Sequence, residues 1–359
     1  MRNITAVLAL SGLLAACAPS LLPHSVYYLE GKDEAAQVWR LEADGESRSQ
    51  ITHEESGVQE FDVSPADGSL AFVSDNQLFL TDADGENRLL IADESDVDRL
   101  VDDPGFTTAV SSPIFSPDGQ TLAYALDGLH LYDMATGLDD HALFNLGNLL
   151  GEPFVFVKEL YSPGPWSPDE SRLLIVMGYF EGSTLAVMDL EAEQPYTRLR
   201  SNGPVCCQVS WVLDGRSVLV ANPDFTTVEP GLWRYDADTG QETVILAGVG
   251  EDDKRHYVGW PLQLPSGELL FFDAYIHFDP DVGIPLTMVR SNSDGSNIAP
   301  VRPEEFHICG VLWSDDGSLA LILQGCGEGN AQVVLARADE SPLQVLIEGE
   351  HIRGMAWGP

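Results

Sequence analysis

A short turn motif recurs along the chain at intervals of about 50 residues. Its clearest copy is "IFSPDGQTLAY" at 114–124, where a Ser-Pro-Asp-Gly turn joins two runs of strand-forming residues. Successive copies are spaced 52, 51, 45, 52, 50 and 44 residues apart, counted from the serine of the turn or the residue in its place. Those marker residues are Ser64, Ser116, Ser167, Val212, Leu264, Ser314 and Gly358. Such a period is typical of a propeller or a solenoid.

Each interval contains a second hairpin, of the type "LFLTDADGEN" at 78–87. Two hairpins make four antiparallel strands, which is one propeller blade. The last copy, "MAWGP" at 355–359, lacks a second strand, and "SVYYLEG" at 25–31 lacks a first one. The sequence therefore predicts an all-β fold: one seven-bladed β-propeller of four-stranded antiparallel blades over residues 26–359. Pairing of the C-terminal strand with the N-terminal blade closes the predicted ring and removes its free sheet edge.

The turn "FSPDG" at 115–119 and the hairpin "LFLTDADG" at 78–85 resemble those of the TolB-like, WD-repeat-like (PD40-type) β-propellers of bacterial envelope proteins. The resemblance covers nearly all of the chain after its leader and implies the propeller fold, but it implies little about activity. Blades five and six depart from the motif, with Val212-Leu213 and Leu264-Pro265-Ser266 at the turn.

The first residues predict export. "MRNITAVLALSGLLAACAPS" has one basic residue, an apolar run too short to span a bilayer, and small residues before Cys17. This order resembles the bacterial lipobox, which implies a signal peptide at 1–16 and an acylated Cys17, followed by a short tether to residue 25. The alternative is an ordinary signal peptide with a chance cysteine. The expected location is extracytoplasmic, on the cell membrane or the outer membrane, and residues 18–25 would span roughly 25 Å when extended.

The charge of the chain excludes one class of partner. There are 18 basic and 57 acidic residues, giving a formal net charge of −39. Nucleic-acid binding depends on Lys and Arg that neutralise phosphates, so DNA and RNA are not expected partners. An acidic surface also keeps a protein soluble, and the expected state is a monomer.

Long insertions gather on one predicted face of the ring. In a four-stranded blade, the turns between strands one and two and between strands three and four lie on one face, here called the turn face. The loops between strands two and three, and those that cross to the next blade, lie on the other, here called the long-loop face. The insertions at 92–112, 145–164, 221–231 and 273–285 all belong to the long-loop face. Long loops on a rigid scaffold carry binding residues, so this face is the predicted functional surface.

Three histidines precede their blade markers by seven or eight residues, in segments that lead toward the central channel. They are His256, His307 and His351, and Arg255 and Arg353 lie at the same rim. The arginines would provide a local positive spot for a carboxylate of a ligand. The histidines are weak candidates for a metal site, because no HxH or HExxH pair is present, and we expect no metal and no cofactor.

The remaining cysteines favour one disulfide. Cys309 and Cys326 are placed symmetrically about the hairpin of blade seven, which favours a bridge between them in an oxidising compartment. Cys206 and Cys207 would then be adjacent, either joined to each other or free.

Two functions are compatible with these features. The chain has no GxSxG elbow, no Walker loop and no dinucleotide fingerprint. The favoured function is binding of a protein, peptide or glycan ligand in the cell envelope without chemistry. The alternative is a channel-mouth enzyme, a metal-assisted lyase or hydrolase using the rim histidines, because some propeller-fold polyuronate lyases that the arrangement resembles hold a metal largely through histidines.

Overall fold

The computed structural model describes residues 20–95, 109–146, 159–179, 182–192, 194–199, 208–222, 231–250, 254–277, 284–325, 330–339 and 341–359. They form 28 strands and one short 3-10 helix, Asp33–Ala35. No helix in this described part is both long and apolar enough to cross a bilayer.

The strands are arranged as seven four-stranded antiparallel sheets in chain order. Blade 1 begins with β1 (Val26–Glu30), β2 (Gln37–Leu41) and β3 (Arg48–Gln50). Blade 2 has β4 (Glu60–Val63), β5 (Leu70–Ser74), β6 (Gln77–Thr81) and β7 (Leu89–Asp93). Blade 3 has β8 (Ser111–Phe115), β9 (Thr121–Ala125), β10 (Gly128–Asp133) and β11 (Asp139–Phe144).

Blade 4 has β12 (Leu160–Trp166), β13 (Arg172–Tyr179), β14 (Gly182–Asp189) and β15 (Thr197–Arg198). Blade 5 has β16 (Gln208–Trp211), β17 (Ser217–Asn222), β18 (Gly231–Asp236) and β19 (Glu242–Leu246). Blade 6 has β20 (Arg255–Gln263), β21 (Leu269–Ile276), β22 (Leu286–Ser291) and β23 (Ala299–Phe306). Blade 7 has β24 (Ile308–Trp313), β25 (Leu319–Gln324), β26 (Asn330–Arg337) and β27 (Gln344–Glu350), and β28 (Arg353–Trp357) returns to blade 1.

The two ends of the chain complete the same blade. In the sheet β28-β1-β2-β3, Val26 pairs with Trp357 and Tyr28 pairs with Met355. Just beyond this ladder, the Gly358 N–H donates to the Ser25 carbonyl at 2.8 Å. The predicted seven-bladed fold and its closure through the C-terminal strand are both confirmed.

The recurring turn is held by its own side chains. The Ser116 hydroxyl donates to Asp118 Oδ1 at 2.6 Å, and the Gln120 N–H donates to the same oxygen at 2.9 Å. Hydrogen bonding lowers the pKa of Asp118, so the carboxylate stays charged in this role. The same serine-to-aspartate bond recurs at Ser167–Asp169 and Ser314–Asp316. The Ser-Pro-Asp-Gly motif is thus a turn that a blade carrying it can form locally, before any contact with its neighbours.

The hydrophobic core lies between adjacent blades. The second strand of a blade is almost fully buried, as in β5, where all five residues are buried. One cluster joins Val26 and Tyr28 of blade 1 to Leu321 and Val333 of blade 7. Because each sheet packs on two neighbours, the apolar runs of its second strand need not alternate with polar residues.

Tryptophans at the ends of inner strands link successive blades. Each indole N–H donates to a carbonyl on the inner strand of the preceding blade. The pairs are Trp166 to Ile114, Trp211 to Pro165, Trp313 to Trp260 and Trp357 to Trp313, at 3.4, 2.8, 2.9 and 2.7 Å. Each of these tryptophans stands just before its turn marker, where its ring is buried or partly buried, so one position in the repeat both packs and connects the blades.

Arginines make a second set of connections, at the turn face. In five cases an arginine of one blade donates to a backbone carbonyl of the following blade or of the segment leading into it. The pairs are Arg40 to Ala83, Arg172 to Gly215, Arg234 to Ser293, Arg302 to Asp339 and Arg337 to Leu21. Arg302 is the most deeply buried of them, with 1% of its surface exposed. Several of the few basic residues of this acidic chain therefore serve to join blades.

Candidate functional site

A pocket of about 520 Å³ opens where inner strands of three blades meet. Trp260 of blade 6, Gly310 of blade 7 and Arg353 of blade 1 line its wall. Lys32 and Asp33, in the loop between β1 and β2, also line it, together with His351, which precedes β28. Both loops belong to the long-loop face, so the pocket lies at the channel mouth on the face that the sequence predicted to be functional.

Arg353 is held in place by the loops of blade 1. Its Nη1 donates to the Gly31 carbonyl at 3.0 Å, and its Nη2 donates to the Val58 carbonyl at 3.1 Å. A guanidinium carries five N–H donors, so these two bonds fix its plane and leave donors for a ligand. His351, two residues earlier, has a left-handed backbone with φ of 56°. This conformation marks the tight connection that leads from blade 7 into the closing strand.

A second pocket, of about 320 Å³, shares Arg353 with the first and contains two carboxylates of blade 2. Glu60 accepts a hydrogen bond from the Ser112 N–H, and Asp62 accepts one from the Phe115 N–H at 2.7 Å. Both donors belong to β8 of the next blade. Burial raises the pKa of Asp62 to about 7, against the effect of its backbone hydrogen bonds.

Sequence reasoning missed these carboxylates. The sequence does contain a pattern that could have identified them: Glu60 and Asp62 stand two residues apart on one strand, so they share a face of the sheet. The channel mouth therefore presents Lys32 and Arg353 beside one carboxylate, Asp33, on the side of blade 1, and the carboxylates of Glu60 and Asp62 on the side of blade 2.

His256 lies outside both pockets and is held within its own blade. Its Nδ1 is 3.0 Å from Asp273 Oδ1, and its ring stacks on Tyr275 with centroids 4.4 Å apart. The Lys254 ammonium lies 5.4 Å from the centroid of the same Tyr275 ring. Asp273 is 8% exposed, so the histidine supplies a partner to a nearly buried carboxylate. Arg255 begins the same strand and is half-buried.

The rim histidines do not form a common site. His307 is exposed between β23 and β24, His351 lines the larger pocket, and His256 bonds to Asp273. Within the described residues, no group of three or more His, Cys, Asp or Glu side chains is arranged to hold a metal ion. The structure thus brings His351 and Arg353 together at one pocket, and it does not gather the three imidazoles.

Several sequence predictions fall on residues outside the described part of the chain. They include the lipidation site Cys17, the pair Cys206 and Cys207, and most of the long insertions, at 96–108, 147–158, 223–230 and 278–283. Cys309 takes part in a disulfide bond, and Cys326 lies outside the described residues. The pairing of these two cysteines stays a prediction.

Comparison with known proteins gives similarity of structure only. No protein-family model matches the chain, and no curated protein matches its sequence. A prolyl endopeptidase structure aligns with a TM-score of 0.59 and 11% identity, over 94% of this chain and 49% of the other, so this chain spans about half of that protein. An oligogalacturonate lyase from Vibrio parahaemolyticus aligns with a TM-score of 0.55 and 10% identity, over 90% of this chain and 85% of the other.

A TolB structure from Acinetobacter baumannii is also among the matches. It has a TM-score of 0.47 and 13% identity, over 92% of this chain and 82% of the other. At identities this low, similarity establishes architecture and leaves activity open. The chain is a seven-bladed β-propeller, and it shares that fold with proteins of differing activity.

Proposed function

We propose that this protein is an exported lipoprotein, anchored through Cys17 to the cell membrane or the outer membrane. Its propeller binds a protein, peptide or glycan through the long-loop face, without chemistry. The protein acts as a monomer.

The observation that carries the binding proposal is the channel-mouth pocket around Arg353. The chain has a formal charge of −39, yet Lys32 and Arg353 line this one concavity together with His351, against a single carboxylate, Asp33. A local cationic pocket within an acidic field favours an acidic group that reaches it and repels other polyanions elsewhere on the surface. A carboxylate of a peptide side chain or of a sugar acid would accept hydrogen bonds from the free donors of Arg353.

The alternative of a metal-assisted lyase or hydrolase has less support. It needs His256, His307 and His351 around one ion, and in the described part of the chain no such group is present. The fold is shared with an oligogalacturonate lyase, but fold alone does not carry activity. Binding without chemistry is therefore the function that the geometry supports best.

The binding proposal can be tested with defined acidic probes. We expect oligogalacturonate or a short poly-glutamate peptide to bind the purified protein in titration calorimetry. Arg353→Gln should weaken that binding about 10- to 100-fold, because it removes a charge-assisted contact of about 1.5–3 kcal/mol. Arg216→Gln is the matched control, since Arg216 is exposed on the turn face. Equal weakening by both variants, or no binding of either probe, would contradict the proposal.

The anchoring proposal has a separate test. Cys17→Ser should move the protein from the membrane pellet to the soluble fraction, whereas the wild type should stay in the pellet at high salt, because acyl chains hold through hydrophobic burial. Retention of the serine variant in the pellet would refute the lipid anchor and leave the binding proposal intact.

A further inference from the structure

The segment that follows the predicted anchor is packed onto the propeller from its first described residues. Leu22 is 1% exposed and its N–H donates to the Ala43 carbonyl at 3.0 Å. Arg337 donates to the Leu21 carbonyl at 3.1 Å. The Leu21 side chain lies so close to Gly45 that a Cβ there would meet Leu21 Cδ2 at 2.4 Å.

All of these contacts lie on one face of the ring. Ala43 and Gly45 belong to the turn between β2 and β3, and Arg337 ends β26 just before the turn into β27. Farther along the segment, the His24 ring lies 6.3 Å from the Trp357 ring. Both residues line a third pocket, of about 360 Å³, together with Asp316 of the turn between β24 and β25. The chain therefore enters the propeller at the turn face.

Little chain remains between this face and the anchor. Ser20 is the first described residue, and only Ala18 and Pro19 separate it from Cys17. Three residue steps span at most about 10 Å even when extended. This distance is less than half of the roughly 25 Å that residues 18–25 would span as a free tether. The tether is shorter because Leu21 and Leu22 already pack on the propeller.

We infer that the turn face is apposed to the lipid bilayer and that the channel-mouth pocket points away from it. This inference rests on the proposed lipidation of Cys17. The occupant of the turn face is the headgroup surface of the membrane that holds the anchor. The long-loop face, with Arg353 and Lys32, is then presented outward to ligands.

The turn face is rich in carboxylates, which affects how closely it can approach the membrane. Carboxylates stand at the turns of all seven blades, including Asp44, Asp84, Asp118, Asp169, Asp214, Asp294, Asp316 and Asp339. Such a surface is repelled by anionic headgroups and gains nothing from insertion into hydrocarbon. The short anchor imposes the apposition, and the carboxylates keep the face from penetrating the bilayer.

Two glutamates of blade 1 provide a matched pair of reporter positions. Glu46 is exposed at the turn between β2 and β3, on the turn face. Glu55 is exposed in the crossing from β3 to β4, on the long-loop face. The chain has only three lysines, Lys32, Lys158 and Lys254, so replacing them by arginine leaves an engineered lysine as the only side-chain amine, and the lysine-free chain itself measures any labelling of the α-amino group.

The test uses lipidated protein added to preformed phosphatidylcholine vesicles, which lack anionic lipid. Glu46→Lys and Glu55→Lys, each in the lysine-free chain, are labelled with an amine-reactive biotin and exposed to streptavidin. We expect intact vesicles to reduce streptavidin capture of the Glu46→Lys protein by at least about fivefold relative to Glu55→Lys, because a gap of about 10 Å excludes a protein probe. Detergent should make the two variants equal.

The outcomes separate the two proposals. If the lipidated protein does not float with vesicles, the anchor is refuted and the orientation falls with it. If it floats and streptavidin reaches both lysines equally, or reaches only the one at position 46, the orientation is overturned while the anchor stands.

Discussion

Trp357 offers a direct measure of how much the closing strand contributes to stability. Its indole N–H donates to the Trp313 carbonyl of blade 7 at 2.7 Å, and its ring packs against the cluster that joins blades 1 and 7. Trp357→Phe keeps an aromatic ring but removes the donor. We expect it to lower the free energy of unfolding by about 1–2 kcal/mol, since a partly buried carbonyl loses its partner. Trp357→Ala also removes the ring and should cost about 3–5 kcal/mol in total.

The assay is equilibrium unfolding in urea followed by far-ultraviolet circular dichroism, which does not depend on the replaced fluorophore. Trp39→Phe is the matched control, because Trp39 packs against the same cluster from β2, with the Arg48 guanidinium 5.9 Å from its ring. A phenyl ring keeps that contact, so the control should cost less than about 1 kcal/mol. If Trp357→Phe lowers the free energy of unfolding no more than Trp39→Phe does, the inter-blade hydrogen bond does not stabilise the ring closure.

Three further predictions concern titration and covalent linkage. Burial raises the pKa of Asp62 from 3.8 to about 7, so the free energy of unfolding should fall as the pH rises between those values. Asp62→Asn should abolish that fall, measured by unfolding in urea at a series of pH values. The asparagine amide oxygen can still accept the Phe115 N–H, so the hydrogen bond is kept. Burial lowers the pKa of His141 below its ordinary value of 6.5, so the stability that the neutral imidazole contributes is present above that pH and is lost as the pH falls below it. His141→Gln should reduce this decrease in the free energy of unfolding at acidic pH. Non-reducing peptide mapping should recover Cys309 linked to Cys326, and a link from Cys309 to Cys207 would show that the assumed hairpin symmetry is wrong.

The blades could be predicted because their signal is local and repeated. The turn at Ser116 and Asp118 satisfies itself with side chains two residues apart, so its sequence reveals its structure directly. The closure could be predicted because "MAWGP" and "SVYYLEG" each contain part of a unit that is complete six times elsewhere in the chain. The repeat period and the turn residues are properties of short segments, so both can be recognised without knowing which strands pair with each other.

The site could be predicted only in part, because side-chain partners depend on register. Position along the chain predicts Arg353 and His351 at one rim, and in the structure both line one pocket. The same reasoning grouped His256 with them, but β20 pairs with β21 so that His256 lies opposite Tyr275, within reach of Asp273. A bulge between Gly259 and Leu262 shifts this strand, and such shifts leave no trace in the spacing of motifs.

The position of β1 within blade 1 has a mechanical consequence. This strand is bonded on one side to β28 and on the other to β2, so it is an interior strand although it begins the described propeller. With the proposed anchor at Cys17, a force pulling on a ligand at the long-loop face would enter the domain through residues 20–25 and β1. To extract β1, that force must break two ladders of hydrogen bonds and expose Val26 and Tyr28, both fully buried. In a protein anchored in this way, the blade closed by both chain ends would be the one that carries the tension.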